Sequence, residues 1–378
     1  MKTTILKSWQ QLSHLEQEWD KLLESSRSNT LFLTWEWIQS WHRVVGDDVE
    51  LFVITVRDDS ARLVGIAPLF RYHLKLLNLI TYKALRVLAD HSTGFEYADW
   101  FVHPDCESEA LIAITDRLLR STDQWDLIWM PKISGWQGAL ERITRTLTRS
   151  KLMFRSRTTP FSASPLPTGM DEFERGFSSK HRKNLRRARR NLLSTPGVEI
   201  IHCRDMDEIP RFVDALFDLH HKRRLLLDDP GCFVRKPAEA AFYRQFIPIA
   251  WAKGWLRFSA LAHSGQIKAI QIGYVYNQTF FALQEGFDPD YTEGAGNVLR
   301  HVVIEQCIEE GVRDYDFLGG FTEHKRRWGA LQRDGYDLLI AHPSPKNKLL
   351  FLNEVWPTGR YIKERGLFYN TQPQPGSR

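Results

Sequence analysis

The chain has 378 residues, a net charge of +5, 43% hydrophobic and 26% charged residues. That length exceeds one ordinary core and predicts two to three domains, and the composition excludes a disordered or collagen-like chain. No apolar run approaches a bilayer span, MKTTILKSWQQL has no signal-peptide core, and Cys106, Cys203, Cys232 and Cys307 form no CxxC pair; these features predict a cytoplasmic protein without disulfides or zinc.

Leu12, Leu15, Trp19, Leu22 and Leu23 recur at helical spacing and predict a helix from about Trp9 to Ser28. A second helix follows Thr34 as N-cap, with Trp37, Ile38 and Trp41 on one face. LFVITVR (51–57), a DDS turn and LVGIAPLF (63–70) read as a hairpin. A helix over 106–120 leads to the buried strand WDLIWMP (125–131), and SASPLPTG (162–169) reads as an interdomain linker. Beyond it come a basic helix (171–194), a strand VEIIHCR (198–204), and helices near 206–226 and 238–253. LRFSALA (256–262) and IKAIQIGYVY (267–276) form another hairpin, TFFALQEGF (279–287) a third strand, Val298 to Glu310 a helix, and DYDFLGG (314–320) a buried strand.

The two halves run in parallel. Each offers a hairpin, further strands, a helix, and then a strand carrying aromatic-Asp-apolar-apolar: Trp125-Asp126-Leu127-Ile128 and Tyr315-Asp316-Phe317-Leu318. A duplication and a chance two-point match both account for this. The halves differ before the helix, where the second has Tyr291-Thr-Glu-Gly294-Ala295-Gly296-Asn297 and the first, HPDCESEAL (103–111), has no glycine. A glycine loop entering a helix N-terminus suits an anion, because the backbone can approach phosphate oxygens and the exposed N–H groups and dipole favour negative charge. By itself the pattern is also that of an ordinary turn entering a helix.

With that context the chain resembles the GNAT acetyltransferases, which hold the CoA pyrophosphate with (Gln/Arg)-x-x-Gly-x-(Gly/Ala). Gly294 and Gly296 match, and Tyr291 departs from the first position. EGFDPDYTEGAGNVL (285–299), GVRDYDFLGG (311–320), HKRRWG (324–329), NTLFLTWEWIQSW (29–41) and SSKHRKNLRRARR (178–190) together resemble the CelD/BcsL-type acetyltransferases. These form a FemAB-like branch of the superfamily often tied to cellulose and other envelope polysaccharides. The resemblance implies an α/β (α+β) fold of two tandem GNAT-like domains, with mixed, mostly antiparallel sheets flanked by helices. It places an N-terminal domain without the glycine loop at 1–165, a C-terminal domain with the acyl-CoA site at 166–345, and a C-terminal helix and tail at 346–378. It also implies acetyl-CoA or another acyl-CoA as cosubstrate, held by Leu283, Tyr291, Gly294, Ala295, Gly296, Asn297 and Val298.

Direct transfer from a thioester to an amine needs a proton acceptor, donors to the carbonyl oxygen and a dry slot, with no covalent enzyme intermediate. The resemblance places the backbone donor within Leu283–Gly286. Glu285, closing that strand, is the first candidate base, although a solvated strand-end carboxylate looks the same. Asp316, inside an apolar strand, must be paired or functional; Asp126 at the matching place makes a shared structural role its rival. Lys325 is a candidate for a substrate phosphate or carboxylate, or one cation of a solvated face with Arg326 and Arg327. No HExxH, Gly-x-Ser-x-Gly or Cys/His pairing points to a metal or a covalent nucleophile.

Residues Lys180 to Arg190 hold seven cations and no acid, and the chain's +5 without these seven leaves −2. Lys180, Lys183, Arg187 and Arg190 share one helical face; Arg182, Arg186 and Arg189 share another. The concentration suits an anionic partner: the CoA 3′-phosphate, a nucleotide-sugar or lipid-linked acceptor contacted by Arg186, Arg187 and Arg190, or an anionic membrane surface. The absence of an aromatic among residues 178–190 argues against nucleic acid. The leading expectation is an acyl-CoA-dependent N-acyltransferase acting on an amino sugar or another envelope precursor. Its rivals are an aminoacyl-tRNA-dependent transferase for peptidoglycan precursors and a non-enzymatic regulator that binds an anionic nucleotide.

Overall fold

The computed structural model describes residues 1–47, 49–76, 80–91, 93–292, 294–352 and 368–370. It divides into two compact units. Unit 1 comprises 1–91, 95–159 and the chain from 334; unit 2 comprises 92–94 and 160–333. Of the expected tail at 346–378, positions 353–367 and 371–378 lie outside the described residues.

Unit 1 begins with β1 (Lys2–Leu6), α1 (Trp9–Ser13), α2 (Glu16–Ser25) and α3 (Trp35–Val45). The single helix expected over 9–28 is thus two. Thr34 caps α3 by accepting from the Trp37 amide at 3.3 Å, and Trp37, Ile38 and Trp41 are all buried. Strands β2 (Val53–Arg57) and β3 (Leu63–Ala67) form the expected hairpin. Pro68 ends it, since a residue without N–H cannot continue a ladder, and β4 (Leu69–Leu76) turns into a different sheet with β5 (Ile80–Val87). After β6 (Phe101–Val102) come α4 (Glu107–Leu119), β7 (Leu127–Ser134) and α5 (Ala139–Thr148). One sheet runs β1-β2-β3-β6, and β7 pairs parallel with β5. Asp126, just before β7, accepts from the Lys83 amide and from Lys346 Nζ, each at 2.7 Å, which ties β5 to β7.

The stretch expected as a linker instead continues β8 (Met153–Pro165): Ala163, Ser164 and Pro165 pair with Asp316, Tyr315 and Asp314. Pro165 stands at the strand's last position, where its missing N–H does no harm.

Unit 2 continues with α6 (Met170–Arg175), α7 (Ser179–Leu193), β9 (Val198–His202), α8 (Ile209–Leu225), α9 (Cys232–Arg235) and α10 (Pro237–Ala252). The basic helix is therefore two pieces, broken before Ser178, which caps α7 through the His181 amide at 3.2 Å. Then follow β10 (Leu256–His263), β11 (Gln266–Tyr276), β12 (Thr279–Phe287), α11 (Ala295–Glu309), β13 (Asp314–Gly319) and α12 (Glu323–Arg326). Sheet order is β9-β10-β11-β12-β13-β8, antiparallel except between β12 and β13. One core gathers Leu185 and Leu192 of α7, Val298, Val303 and Ile304 of α11, and Trp328. Back in unit 1, β14 (Leu331–Ala341) pairs with β7, α13 (Pro345–Leu352) follows, and β15 (Phe368–Asn370) pairs antiparallel with β4.

The repeat is a matter of topology as well as motif. In each unit an antiparallel hairpin (β4-β5, β11-β12) is followed by a helix and a strand parallel to the hairpin's second member.

Candidate active site

Among the described residues, β12 and β13 pair only from Thr279 to Phe281 against Asp314 to Asp316, and then part. Two local devices open this fork. On β12 the partners of Ala282 and Gln284 are the consecutive Gly273 and Ile272, so Leu283 is an extra residue, a bulge whose backbone falls out of the ladder. On β13 Asp316, buried, accepts from the Leu318 amide at 2.7 Å, and Leu318 takes φ +61°, a conformation costly for a residue with a Cβ. There the register against β8 shifts, Asp316 facing Ala163 and Gly319 facing Phe161.

A cavity of about 570 Å³ lies along the freed end of β12, lined by Glu285, Gly286 and Phe287, by Gly294 to Asn297 of the α11 entry, and by Arg223, Arg300 and His324. Gly294, at φ +88°, is the N-cap of α11, and a Cβ there would meet nothing within 4 Å. The glycine serves backbone conformation and leaves the loop open. The first turn of a helix has N–H groups with no intrahelical acceptor, beside the positive end of the dipole. Here that turn lines the cavity. Tyr291 also lines it, with its hydroxyl 3.2 Å from His263 Nδ1.

The polar wall is organised by Glu285. Its carboxylate pairs with Arg300 and, at 2.8 Å, with Arg223. Arg300, buried in the second turn of α11, also reaches His324 Nε2 at 3.0 Å and lies 5.3 Å over the Trp328 ring. Burial pushes the Glu285 carboxyl up, but the Arg300 and Arg223 guanidiniums outweigh it and bring it down to about 2. It is ionised at any physiological pH and is a weak proton acceptor. His324 is brought down to about 4, by desolvation first and the Arg300 charge second, and is neutral at pH 7. Asp288 also lines the cavity and pairs with Lys268 at 3.0 Å, so Arg223, Arg300 and Lys268 against Glu285 and Asp288 leave one positive charge.

The other expected site residues lie elsewhere. Asp316 is not among the cavity's lining residues. Lys325 Nζ donates to the carbonyls of Phe317, Gly319 and Gly320 at 2.8, 2.6 and 3.0 Å, gathering the end of β13 around one ammonium. Arg186 pairs with Glu174 and with Asp171 at 3.1 Å, whereas Arg187 and Arg190 are exposed with no ion pair among the described residues. Sequence reasoning missed Arg223 and Arg300. Arg300 left a signal, a cation inside the apolar run Val298-Leu299-Arg300-His301-Val302; Arg223, within Lys222-Arg223-Arg224, looked like any solvated helix end.

Behind β12, Cys232 Sγ and His220 Nε2 lie 3.9 Å apart. Burial raises the thiol to about 12 and, with Arg223 and Arg224, lowers the imidazole to about 4, so neither is charged and the pair is no activated nucleophile. Between pH 6.5 and 4 the unfolded chain binds a proton that folded His220 refuses. Stability is therefore expected to fall as pH drops through that window, by up to about 1.4 kcal/mol per pH unit for one group, and to level off below it. Denaturant titrations across pH should show His220→Gln with a shallower slope.

Residues 179–326 match the acetyltransferase (GNAT) domain family. These residues form a GNAT acetyltransferase domain. The cavity of this GNAT domain lies where β12 parts from β13 and α11 begins, and the chain is an acyltransferase. Among solved structures, FemX aligns at 12% identity over 94% of this chain and 100% of its own, with a TM-score of 0.62. A conserved protein of unknown function from Bacteroides thetaiotaomicron aligns at 14% identity over 86% and 97%, with a TM-score of 0.55. The C-terminal domain of a putative lysylphosphatidylglycerol synthetase from Agrobacterium fabrum aligns at 10% identity over 91% and 96%, at 0.53. At such identities the likeness is one of fold, and it fits two GNAT-like domains. No curated protein matches the chain by sequence. Among the described residues no group of three or more His, Cys, Asp or Glu is placed to hold a metal ion, and no helix is long and apolar enough to cross a membrane.

Proposed function

We propose that the GNAT domain binds an acyl-CoA in the cavity along β12 and α11 and transfers the acyl group directly to the amine of an amino sugar or a related envelope precursor. The observation that carries this is the open glycine entry of α11 facing a cationic wall beside a bulged strand. The residues present fit the donor. The Ala295 amide already donates to the Thr292 carbonyl at 3.2 Å, which leaves the Gly296 and Asn297 amides of the turn to meet a pyrophosphate, and Arg223 supplies positive charge. The bulge leaves the Leu283 backbone outside the ladder, where an N–H can meet a thioester oxygen. The bound thioester supplies the activated acyl carbon. Glu285, already ionised and paired, acts as the counter-ion that positions Arg300 and Arg223, and the amine proton leaves to water or to a group on the acceptor. The test is free-thiol release from acetyl-CoA with a panel of amino-sugar acceptors. Acceptor-dependent thiol is expected; none with any amine would contradict the reading.

The acceptor's anionic part is drawn to α7. Lys180, Lys183, Arg187 and Arg190 form an exposed ridge with no ion pair among the described residues, while Leu185 and Leu192 anchor the helix in the core. Like charges at these spacings repel, and a bound anion would relieve that repulsion. Replacing all four by Gln is expected to raise the KM of an anionic acceptor and flatten its salt dependence, because the field is screened within about 8 Å at physiological salt. Turnover at saturating acceptor should survive. A salt titration of KM and kcat on both forms checks it, and lost kcat with an unchanged salt slope would place the ridge in the active site.

A further inference from the structure

Gln271 stands on β11 directly opposite Glu285 of β12, just beyond the Leu283 bulge. It lines the cavity and is only 4% exposed. Its Nε2 donates across β12 to the hydroxyl of Tyr315 on β13, which neighbours Arg300. Its Oε1, buried as well, finds no hydrogen-bond partner among the described residues. A buried amide atom left unpaired is costly, and folded proteins keep one where something outside the chain completes it. The charged groups lining the cavity are already satisfied: Glu285 by Arg223 and Arg300, Asp288 by Lys268, and His324 by Arg300. The unfilled position is therefore neutral, and it suits a neutral polar group better than a phosphate.

Its place along the strand says which group. The lining runs from the α11 entry at Gly294–Asn297 past Phe287 and Gly286 to Glu285, and the Leu283 bulge lies further up β12. A ligand with phosphates on the α11 entry and a thioester at Leu283 must pass Glu285 and Gln271 in between. In an acyl-CoA that stretch is the pantetheine arm, with its two secondary amides. We infer that Gln271 is a specificity residue for the acyl donor, its end group hydrogen-bonding an amide of the pantetheine arm. A secondary amide carries both an N–H and a C=O, so it complements a glutamine whichever atom faces the cavity. A ligand without that group leaves the buried amide unpaired and is penalised for it. The inference rests on the acyl-CoA reading above and assigns one contact within it.

The test is calorimetric titration of acetyl-CoA, and of adenosine 3′,5′-bisphosphate, which lacks the arm, into wild type and Gln271→Met. Methionine keeps the reach of glutamine and removes both polar atoms. Acetyl-CoA affinity should fall about tenfold in the variant while bisphosphate affinity stays unchanged. A purely structural role would lower both affinities or neither, because both ligands use the α11 entry. Should Gln271→Met fail to fold, Gln271→Asn, which withdraws the amide by one methylene and stays polar, should show the same split. Equal acetyl-CoA affinity in wild type and variant, or an equal loss for both ligands, would overturn the inference and leave the acyl-CoA reading standing. A wild type that binds neither ligand would remove that reading and the inference with it.

Discussion

Glu285→Gln is expected to destabilise the protein by about 3 kcal/mol, which chemical denaturation would measure directly. Arg300 is only 5% exposed, and Glu285 is its counter-ion; an amide in that place leaves a buried guanidinium uncompensated. His324, Asn297, Tyr315 and the Trp328 ring also neighbour it, but none carries negative charge. The double variant Glu285→Gln/Arg300→Met removes both charges and should recover much of the loss, since a buried ion pair replaced by apolar groups is often close to neutral. The kinetic signature follows from the same geometry. A carboxylate held at about 2 is ionised throughout the neutral range, so it sets no limb of a pH–rate profile near pH 7. A Gln variant as stable as wild type but about 10²- to 10⁴-fold slower would restore Glu285 as the general base.

Gly286→Ala should cost about 3 kcal/mol or more, or yield no folded protein. A Cβ at this position would lie 2.6 Å from the His220 amide nitrogen and 2.7 Å from the Leu219 carbonyl carbon, so the obstruction is the backbone of α8 itself. No side-chain rotation relieves it. The helix would have to move away from β12, and Arg223 on that helix would leave Glu285. Gly169→Ala is the matched control, because its Cβ would meet nothing within 4 Å and its φ of −150° suits any residue. A thermal melt of the two variants separates them, and a Gly286→Ala protein melting with wild type would show that α8 does not pack on β12 this closely.

What could be read from the chain follows from what is local. The N-cap at Thr34, the hairpins at 51–67 and 256–276, and the helix entered by Gly294 rest on spacing and turn residues, and they appear where periodicity places them. The pieces that were illegible depend on distant partners. SASP looks like linker until β13 is beside it, and β14 has no reason to be a strand until β7 receives it. The site divides the same way. The glycine turn was visible because backbone geometry writes itself into glycine, and Glu285 was visible as a strand-end carboxylate. Its chemical role was not, since that depends on two guanidiniums from helices about sixty residues before it and fifteen after. Lys325 shows the same limit: a cation in a basic run is indistinguishable by sequence from one enclosed by carbonyls.

The central claim, that the α11 entry holds an acyl-CoA, is tested most directly by calorimetric titration of acetyl-CoA into the wild type and Gly294→Val. A valine at φ +88° meets no neighbour within 4 Å of its Cβ, so the fold should survive with about 1–2 kcal/mol of local strain, while the side chain covers the N–H groups of the turn. The account predicts saturable binding of one acetyl-CoA per wild-type chain and at least about tenfold weaker binding by the variant. Equal affinity in both proteins would contradict it, as would a wild type that binds aminoacyl-tRNA and gives no heat with acetyl-CoA.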